Sequence, residues 1–371
     1  MKKILSVLLV LAALLAMATS AALAAEIALV TDVGTIDDES FNQACWEGVK
    51  AYAEANGKTY QYYQPGADST DERLNSIDLA VSEGAKVVVC PGYLFGETVA
   101  QAQELYPDVD FIAVDVSAGD LGGVDAQQNL YCAVFGEEQA GYLAGYAVVK
   151  DGYTKLGFLG GMAVPAVQRY GYGFVQGANA AAVELGTPIE INYTYGGQFF
   201  GDADITAVMD TWYQGGTEVV FACGGGIYTS AVDAAKKVNA KVIGVDVDQA
   251  GVIANYAGVD GMTVTSAMKG LYPATYDTLT DVIVNGNWEK YVGKIETLGL
   301  VSGTDPEANY VQIPMGDGTQ WSDSFTQDDY KAMVKDMFDG KITVSNNTSS
   351  DVSAADFATV ITVDDQGSIK G

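Results

Sequence analysis

Three aspartates stand directly after short apolar runs of the sequence. The run IALVT leads to Asp32, FIAV leads to Asp115, and VIGV leads to Asp246. In an open α/β sheet, ligands bind beyond the carboxyl ends of the strands. An aspartate after a strand is also a common N-cap of the next helix, so each residue alone is a weak indication of a site. Together the three predict a site where carboxylates accept hydrogen bonds from a polar ligand.

Glycines follow two other apolar runs. LGFL is followed by Gly160 and Gly161, and VVFAC by Gly224, Gly225 and Gly226. Glycine lets the backbone approach a ligand closely, but these glycines match neither the dinucleotide fingerprint nor the phosphate loop. The aspartates at the neighbouring strand ends would also repel a phosphorylated ligand. The pattern therefore favours a neutral polyol or nucleoside, whose hydroxyls donate to charged acceptors in bonds of about 1.5–3 kcal/mol.

Aromatic residues near these positions could bind a flat base. Phe41 opens the first predicted helix, and Phe199 and Phe200 follow Tyr195 in a glycine-containing segment. If two lobes face each other, one ring from each could sandwich a base, at about 1–3 kcal/mol per stacked base. The alternative is that these rings belong to the core, since Phe41 lies on the apolar stripe of its helix.

The elements that would position these residues alternate along the chain. Continuous apolar strands separated by helices are typical of parallel sheets covered on both faces. The unit occurs about four times on each side of residue 135, which predicts two similar doubly wound lobes. Ser40 and Gln43 predict a capping box at the start of the first helix. The predicted strands are 26–31, 59–64, 86–90, 111–114, 155–159, 189–195, 218–222, 241–245 and 358–363, and the predicted helices are 40–55, 70–82, 95–106, 137–149, 165–184, 203–213, 227–238 and 327–338.

Composition excludes several classes of function. The sequence has no histidine, which removes the common nucleophile systems and most zinc sites. A net charge of −29 repels nucleic acid and anionic lipid. The four cysteines show neither redox-motif nor zinc-finger spacing, and their disulfide state stays open. We expect no metal and no cofactor.

The first 24 residues are typical of a secretory signal peptide. Lys2 and Lys3 precede an apolar run, and small residues end at Ala24. The run is shorter than the roughly 20 residues that a transmembrane helix needs. We therefore expect an exported protein, periplasmic or secreted. Because residues 1–30 contain no cysteine, we expect no lipid anchor.

Several segments are similar to those of a known family. The segment 32–43 (DVGTIDDESFNQ), followed by WEG at 46–48, resembles the most distinctive part of the basic membrane protein family of ATP-binding-cassette substrate-binding proteins. GVDVDQ at 244–249 and TSAMK at 265–269 are similar to its later motifs. The resemblance covers most of the chain and weakens after residue 300. Several members of the family bind purine nucleosides.

The resemblance implies the type I periplasmic-binding-protein fold, with two lobes joined by a hinge of three strands. Lobe 1 would comprise residues 25–135 and 267–298, and lobe 2 would comprise residues 136–266 and 299–371. Phe41 would stack on one face of the base, and Phe200, or Phe199, on the other. The remaining ligand-binding residues implied are Asp32 and Asp115 near the base or sugar edge, and Asp246, Lys269 and an amide of Gly224 or Gly225 near the ribose. Asn42 is also expected to bind the ligand.

Two functions fit this sequence, and a third is disfavoured by it. The first is a transport receptor whose closed, ligand-bound form docks on a membrane permease driven by a cytoplasmic ATPase. The second is a sensor of the same fold that presents a nucleoside or sugar to a signalling receptor. The third, a nucleoside hydrolase, is disfavoured because Asp32, Asp37 and Asp38 resemble a loop and helix start more than a metal cage.

Overall fold

The computed structural model describes residues 25–370. The predicted signal peptide, residues 1–24, lies outside the described residues. Within residues 25–370, no helix has the length and apolar character needed to cross a bilayer. The described chain forms two β-sheets of six and seven strands, with helices packed against them.

All strands of the first sheet run parallel, as helical crossover connections require. The strands are β1 (Ile27–Val30), β2 (Tyr60–Tyr63), β3 (Val87–Pro91), β4 (Asp110–Val114), β5 (Leu130–Phe135) and β11 (Ile295–Leu298), in the spatial order β2-β1-β3-β4-β5-β11. The associated helices are α1 (Phe41–Asn56), α2 (Thr70–Ser82), α3 (Gly96–Leu105) and α9 (Leu271–Leu279).

The second sheet repeats this order and adds an outer strand. Its strands are β6 (Lys155–Gly160), β7 (Glu190–Tyr195), β8 (Val219–Cys223), β9 (Lys241–Asp246), β10 (Thr263–Lys269), β12 (Val311–Gln312) and β13 (Thr362–Ser368), in the order β13-β7-β6-β8-β9-β10-β12. Only the short β12 runs antiparallel to its neighbour in this described sheet. Its helices are α4 (Glu137–Lys150), α5 (Pro165–Leu185), α6 (Ala203–Gln214), α7 (Tyr228–Val238), α8 (Ala250–Ala257) and α10 (Gln327–Phe338).

Strand order reverses at one point in each sheet. The reversal lies between β1 and β3 in the first sheet and between β6 and β8 in the second. Ligands bind at such switch points because the helices leave in opposite directions and open a crevice. The prediction of an α/β protein with two doubly wound parallel sheets is confirmed.

The chain passes between the sheets at three neighbouring places. The crossings follow β5, follow β10, and lie between β11 and β12. The Gly136 amide donates to the Leu298 carbonyl at 3.0 Å, and the Gly270 amide donates to the Tyr310 carbonyl at 2.7 Å. Hydrogen bonds therefore hold the three connections side by side.

Several elements differ from the sequence-based expectations. Strands β5, β10, β11 and β12 and helices α8 and α9 are not among the predicted elements, and the last strand lies at 362–368 rather than 358–363. The predicted lobe boundary between residues 266 and 267 falls inside β10, which stays paired with β9 as far as Met268. The division of the remaining residues into lobes stays a prediction.

Helices α4 and α5 pack backbone against backbone. A Cβ atom on Gly145 would lie 2.2 Å from the Phe174 carbonyl oxygen, and one on Gly177 would lie 2.0 Å from that of Tyr142. No side chain larger than a hydrogen atom fits at such distances. Because Glu137 begins α4 and the first turns of α5 reach the cavity described below, this contact fixes the spacing of groups in the site.

Apolar side chains form clusters on both faces of the sheets. Along β1, Leu29 belongs to the central cluster, whereas Ala28 and Val30 belong to the outer one, as strand alternation requires. The cysteines, whose pairing the sequence left open, are buried free thiols: Cys45, Cys90, Cys132 and Cys223.

Candidate functional site

Each sheet with its helices forms one half of the molecule. A cavity of about 650 Å³ lies between the two halves, at the carboxyl ends of strands from both sheets. Ligand pockets for small molecules typically measure about 300–1,000 Å³. All nine predicted ligand-binding residues line it: Asp32, Phe41, Asn42, Asp115, Phe200, Gly224, Gly225, Asp246 and Lys269. The structure thus brings them together, and the contact of each with a ligand stays a prediction.

The Lys269 ammonium occupies the centre of a buried charge cluster. Its side chain, at the end of β10, is 3% exposed, and Nζ lies 2.5 Å from Asp115 Oδ2, 3.5 Å from Glu137 Oε1 and 3.9 Å from Asp246 Oδ1. Burial alone lowers the pKa of Lys269, but the three carboxylates outweigh it and raise that pKa above its ordinary value. The ammonium therefore stays charged and ties the first sheet, through Asp115, to the second.

Glu137 and Arg169 complete the charge cluster. The Glu137 side chain is fully buried, and Arg169 Nε donates to its Oε2 at 2.6 Å. Glu137 also begins α4, where a helix N-terminus favours a negative charge. The cluster has a formal net charge of −1, since it contains three carboxylates, of Asp115, Glu137 and Asp246, and two cations, Lys269 and Arg169.

Two of the cluster's aspartates have an unusual backbone conformation. Asp115 has φ 62° and Asp246 has φ 65°, in the left-handed region. This region disfavours most L-residues, although aspartate adopts it more readily than most, and such conformations concentrate at ligand sites. The left-handed conformation occurs at the ends of β4 and β9, and the side chains of Asp115 and Asp246 both line the cavity.

One oxygen of Asp115 has no hydrogen-bond partner within the described chain. Its Oδ2 binds Lys269, whereas its Oδ1 is buried and unpaired. Burial raises the pKa of Asp115, although Lys269 acts in the opposite direction. Buried carboxylate oxygens are almost always paired, so the unpaired Oδ1 is an acceptor that remains available for a hydrogen bond.

Ser40 binds Asp246 across the cavity instead of capping α1. The Ser40 hydroxyl donates to Asp246 Oδ2 at 2.6 Å, and no side-chain cap bond forms at Ser40. Asp38 caps the helix: its carboxylate accepts from the amides of Asn42 at 2.9 Å and Gln43 at 3.1 Å. The predicted capping box of Ser40 and Gln43 is therefore wrong, because a carboxylate two residues earlier satisfies the same amides.

Asp32 and Asn42 form a second polar group in the lining of the cavity. Asp32 Oδ1 accepts from the Gly34 amide at 2.7 Å and from Asn42 Nδ2 at 3.0 Å. Burial raises the pKa of Asp32. Asn42 Oδ1 is buried without a partner among the described residues, so this polar group contains a further free acceptor. At Gly92, with φ 116°, a Cβ would lie 2.9 Å from Asp32 Oδ2, so glycine is required there.

Aromatic rings enter the cavity from both halves. Phe41, at the start of α1, is half-buried against the core, and its ring centroid lies 4.7 Å from Lys269 Nζ. Phe199 and Phe200 lie in the segment after β7, and Phe200 is 62% exposed. Phe41 thus packs partly against the core and also lines the cavity, whereas Phe200 has the larger exposed surface, and stacking of either ring on a ligand stays a prediction.

The sequence reasoning missed several lining residues. Tyr93 follows β3, so the rule that found Asp32 could have found it, and its hydroxyl lies 3.8 Å from Met162 Sδ across the cavity. Arg169 and Tyr170 lie within α5, where helical periodicity favours a core position over a site. Nothing in their local pattern distinguishes them.

Comparisons with known proteins agree with this architecture. The family model described as Bmp, ABC transporter substrate-binding protein PnrA-like, matches residues 25–304. Among curated proteins, the ABC transporter nucleoside-binding protein BmpA of Lactococcus lactis is 29% identical over 83% of this chain and 86% of its own length. Basic membrane protein B of Borreliella burgdorferi is 29% identical over 76% of this chain and 81% of its own length.

Solved structures show the same fold. A solute-binding protein of an ABC transporter system from Aeropyrum pernix aligns with TM-score 0.65 and 21% identity over 87% of each chain. One from Conexibacter woesei aligns with TM-score 0.65 and 21% identity over 86% of this chain and 98% of its own. The type I periplasmic-binding-protein fold is confirmed, and the family is one of substrate-binding proteins rather than enzymes. With the family model matching most of its length, this chain belongs to the Bmp family of PnrA-like ABC transporter substrate-binding proteins.

Proposed function

We propose that this protein captures a purine nucleoside in the cavity between its halves and delivers it to the permease of an ABC transporter. The observation that supports this most is the buried, unpaired Asp115 Oδ1 in the charge cluster. A hydroxyl or amine of the ligand would satisfy it. A hydrogen bond to a charged acceptor contributes about 1.5–3 kcal/mol.

The charge of the lining favours a neutral ligand. Both basic residues of the lining, Lys269 and Arg169, already pair with carboxylates. Further acid is contributed by Asp32, Asp68 and Asp120. These carboxylates would repel a phosphate group, and the described lining contains no unpaired cation to bind it. A nucleoside therefore fits better than a nucleotide.

The rings support a flat heterocycle. Phe41 belongs to the first-sheet half and Phe200 to the second, and both line the cavity. Closure of the halves around a base would stack one ring on each face, at about 1–3 kcal/mol per stacked base. The Lactococcus lactis relative is named a nucleoside-binding protein, which agrees with this ligand class.

Calorimetry on the protein tests the ligand. We expect micromolar or tighter binding of at least one of adenosine, guanosine and inosine. Adenosine monophosphate should bind at least about 100-fold more weakly, because the carboxylates of the lining repel its phosphate group. Asp246→Asn should weaken nucleoside binding about tenfold or more, whereas Asp260→Asn, at an exposed position, should not. Failure of all three nucleosides together with tight binding of a sugar or amino acid would overturn the assignment.

Uptake tests delivery. Cells lacking the gene should lose high-affinity uptake of the labelled nucleoside, and the wild-type gene should restore it while Asp246→Asn does not. Undiminished uptake in the deletion strain would refute delivery and leave the ligand assignment standing.

A further inference from the structure

The last described strand lies beside β7, whose following segment lines the cavity, and it falls outside the segment that matches the family model. β13 pairs with β7 from Thr362, opposite Glu190, to Ser368, opposite Tyr195, whereas the family match ends at residue 304. The segment 196–202 follows β7 directly, and we call it the aromatic loop. Four of its residues line the cavity: Gly197, Gln198, Phe199 and Phe200.

Lys370 binds two side chains of the aromatic loop. Its ammonium donates to Gln198 Oε1 at 3.1 Å and forms a hydrogen-bonded ion pair with Asp202. Gln198 Nε2 in turn donates to the Phe200 carbonyl at 2.9 Å and to Asp202 Oδ2 at 3.0 Å. The three side chains thus form a closed polar network around the backbone that carries Phe200.

The backbone beside Lys370 also sits directly on the loop. The Ile369 amide donates to the Tyr195 carbonyl at 2.8 Å. A Cβ on Gly197, which has φ 80°, would lie 2.6 Å from the Lys370 carbonyl oxygen. The two segments therefore meet without room for a side chain.

Phe200 has little packing of its own. The residue is 62% exposed, and its backbone forms an isolated bridge with Gly226. The position of the ring relative to the cavity consequently depends on the loop. The hydrogen bond from Lys370 is the largest influence that lowers the pKa of Asp202, to about 2, so the ion pair persists at neutral pH.

We propose that Lys370 is a positioning residue for ligand binding, which holds the aromatic loop so that Phe200 faces the cavity. Ordering the loop before the ligand arrives removes an entropic cost from binding. The inference rests on the proposed function for the identity of the ligand, but not for the state of the loop.

Hydrogen exchange on the ligand-free full chain tests the loop. In Lys370→Met, which keeps the aliphatic stem, the amides of residues 196–202 should exchange at least about fivefold faster than in the wild type, because local opening becomes easier. Lys341→Met removes an exposed ion pair with Asp336 elsewhere and should leave these amides unchanged. Unchanged exchange of the loop in Lys370→Met would overturn the proposal.

Affinity tests the consequence for binding. We expect Lys370→Met to weaken nucleoside binding about five- to twentyfold and Lys370→Arg to restore most of it, since a cation remains. In a Phe200→Ala background the effect of Lys370→Met should nearly vanish, because both changes act through one ring. An undiminished effect there would refute the route through Phe200. Faster loop exchange in a protein whose wild type binds no nucleoside would support the positioning role and refute the ligand assignment alone.

Discussion

Near the start of α1, Asp38 caps the helix and Ser40 binds across the cavity. Asp38 satisfies the amides of the first helical turn, which leaves the Ser40 hydroxyl available to Asp246 on the other sheet. Without the Asp38 cap, Ser40 would be drawn towards the amides of its own helix. A local capping interaction thus frees a contact across the cavity.

Replacing Ser40 tests its contact with Asp246. Ser40→Ala should weaken nucleoside binding about tenfold, because Asp246 loses a charge-assisted hydrogen bond that orients its carboxylate. Calorimetry measures the change, and Ser82→Ala, at an exposed serine, is the matched control. Equal affinities for Ser40→Ala and the wild type would show that Asp246 needs no such support.

The pKa of Asp38 predicts a specific dependence of stability on pH. Burial raises this pKa from 3.8 to about 6, despite the amides that favour the charged form. Between these values the folded state binds the proton more tightly than the unfolded state, so this group lowers stability as pH rises through the window.

Asp38→Asn removes that titration. Between pH 4.5 and pH 6.5, the free energy of unfolding of the wild type should fall by about 1–3 kcal/mol relative to that of the variant. Urea unfolding at both values measures it, with Asp37→Asn, an exposed neighbour, as control. Parallel pH profiles for Asp38→Asn and the wild type would contradict a raised pKa.

Helices α4 and α5 behave as one element because glycines let their backbones touch. Gly141 and Gly145 of α4 meet carbonyls of α5, and Gly173 and Gly177 of α5 meet carbonyls of α4. A Cβ atom added to any of the four would lie only 2.0–2.2 Å from the facing carbonyl oxygen. The glycines of each helix are four residues apart, which places them on one helix face. The sites of Glu137 and Arg169 are set by this contact.

A glycine substitution in this contact should be severe. Gly145→Ala should destabilise the protein by about 3 kcal/mol or more, because overpacking displaces backbone rather than a flexible side chain. Gly251→Ala in α8, where no atom lies within 4 Å of the added Cβ, should be neutral or stabilising by up to about 1 kcal/mol. Urea unfolding compares them, and equal stabilities would contradict the backbone contact.

Periodicity predicted most elements, since buried parallel strands are continuously apolar and the helices between them are amphipathic. It failed at β13, whose residues TVDDQGS are mostly exposed at a sheet edge and have no apolar signal. It also failed at β11, where IETL is short and exposed. The site residues at strand ends follow from topology, whereas Ser40 and Lys370 act through contacts distant in sequence, which local patterns do not contain.

Contacts across the cavity bring the two halves together in this structure. Gln249 Nε2 donates to the Glu39 carbonyl at 3.1 Å, beside the bonds of Ser40 with Asp246 and of Lys269 with Asp115. A ligand that binds both halves should favour this closed arrangement over an open one.

Small-angle scattering measures that shift. Saturating nucleoside should decrease the radius of gyration, because only the closed form lets both Phe41 and Phe200 reach the base. Adenosine monophosphate at the same concentration is the control and should leave the radius unchanged. A radius unaffected by a nucleoside that binds tightly would mean that the halves are already closed without ligand.

The three crossings have a consequence for the order in which the molecule can assemble. β11 completes the first sheet beside β5, yet it enters the chain after most of the second sheet. A fragment ending at residue 135 would therefore expose β5 as an unpaired edge, prone to aggregation. Cutting the gene after residue 135 should therefore not yield an independently stable half, because β5 would lack its partner β11. In the full chain, such long-range pairing should slow folding.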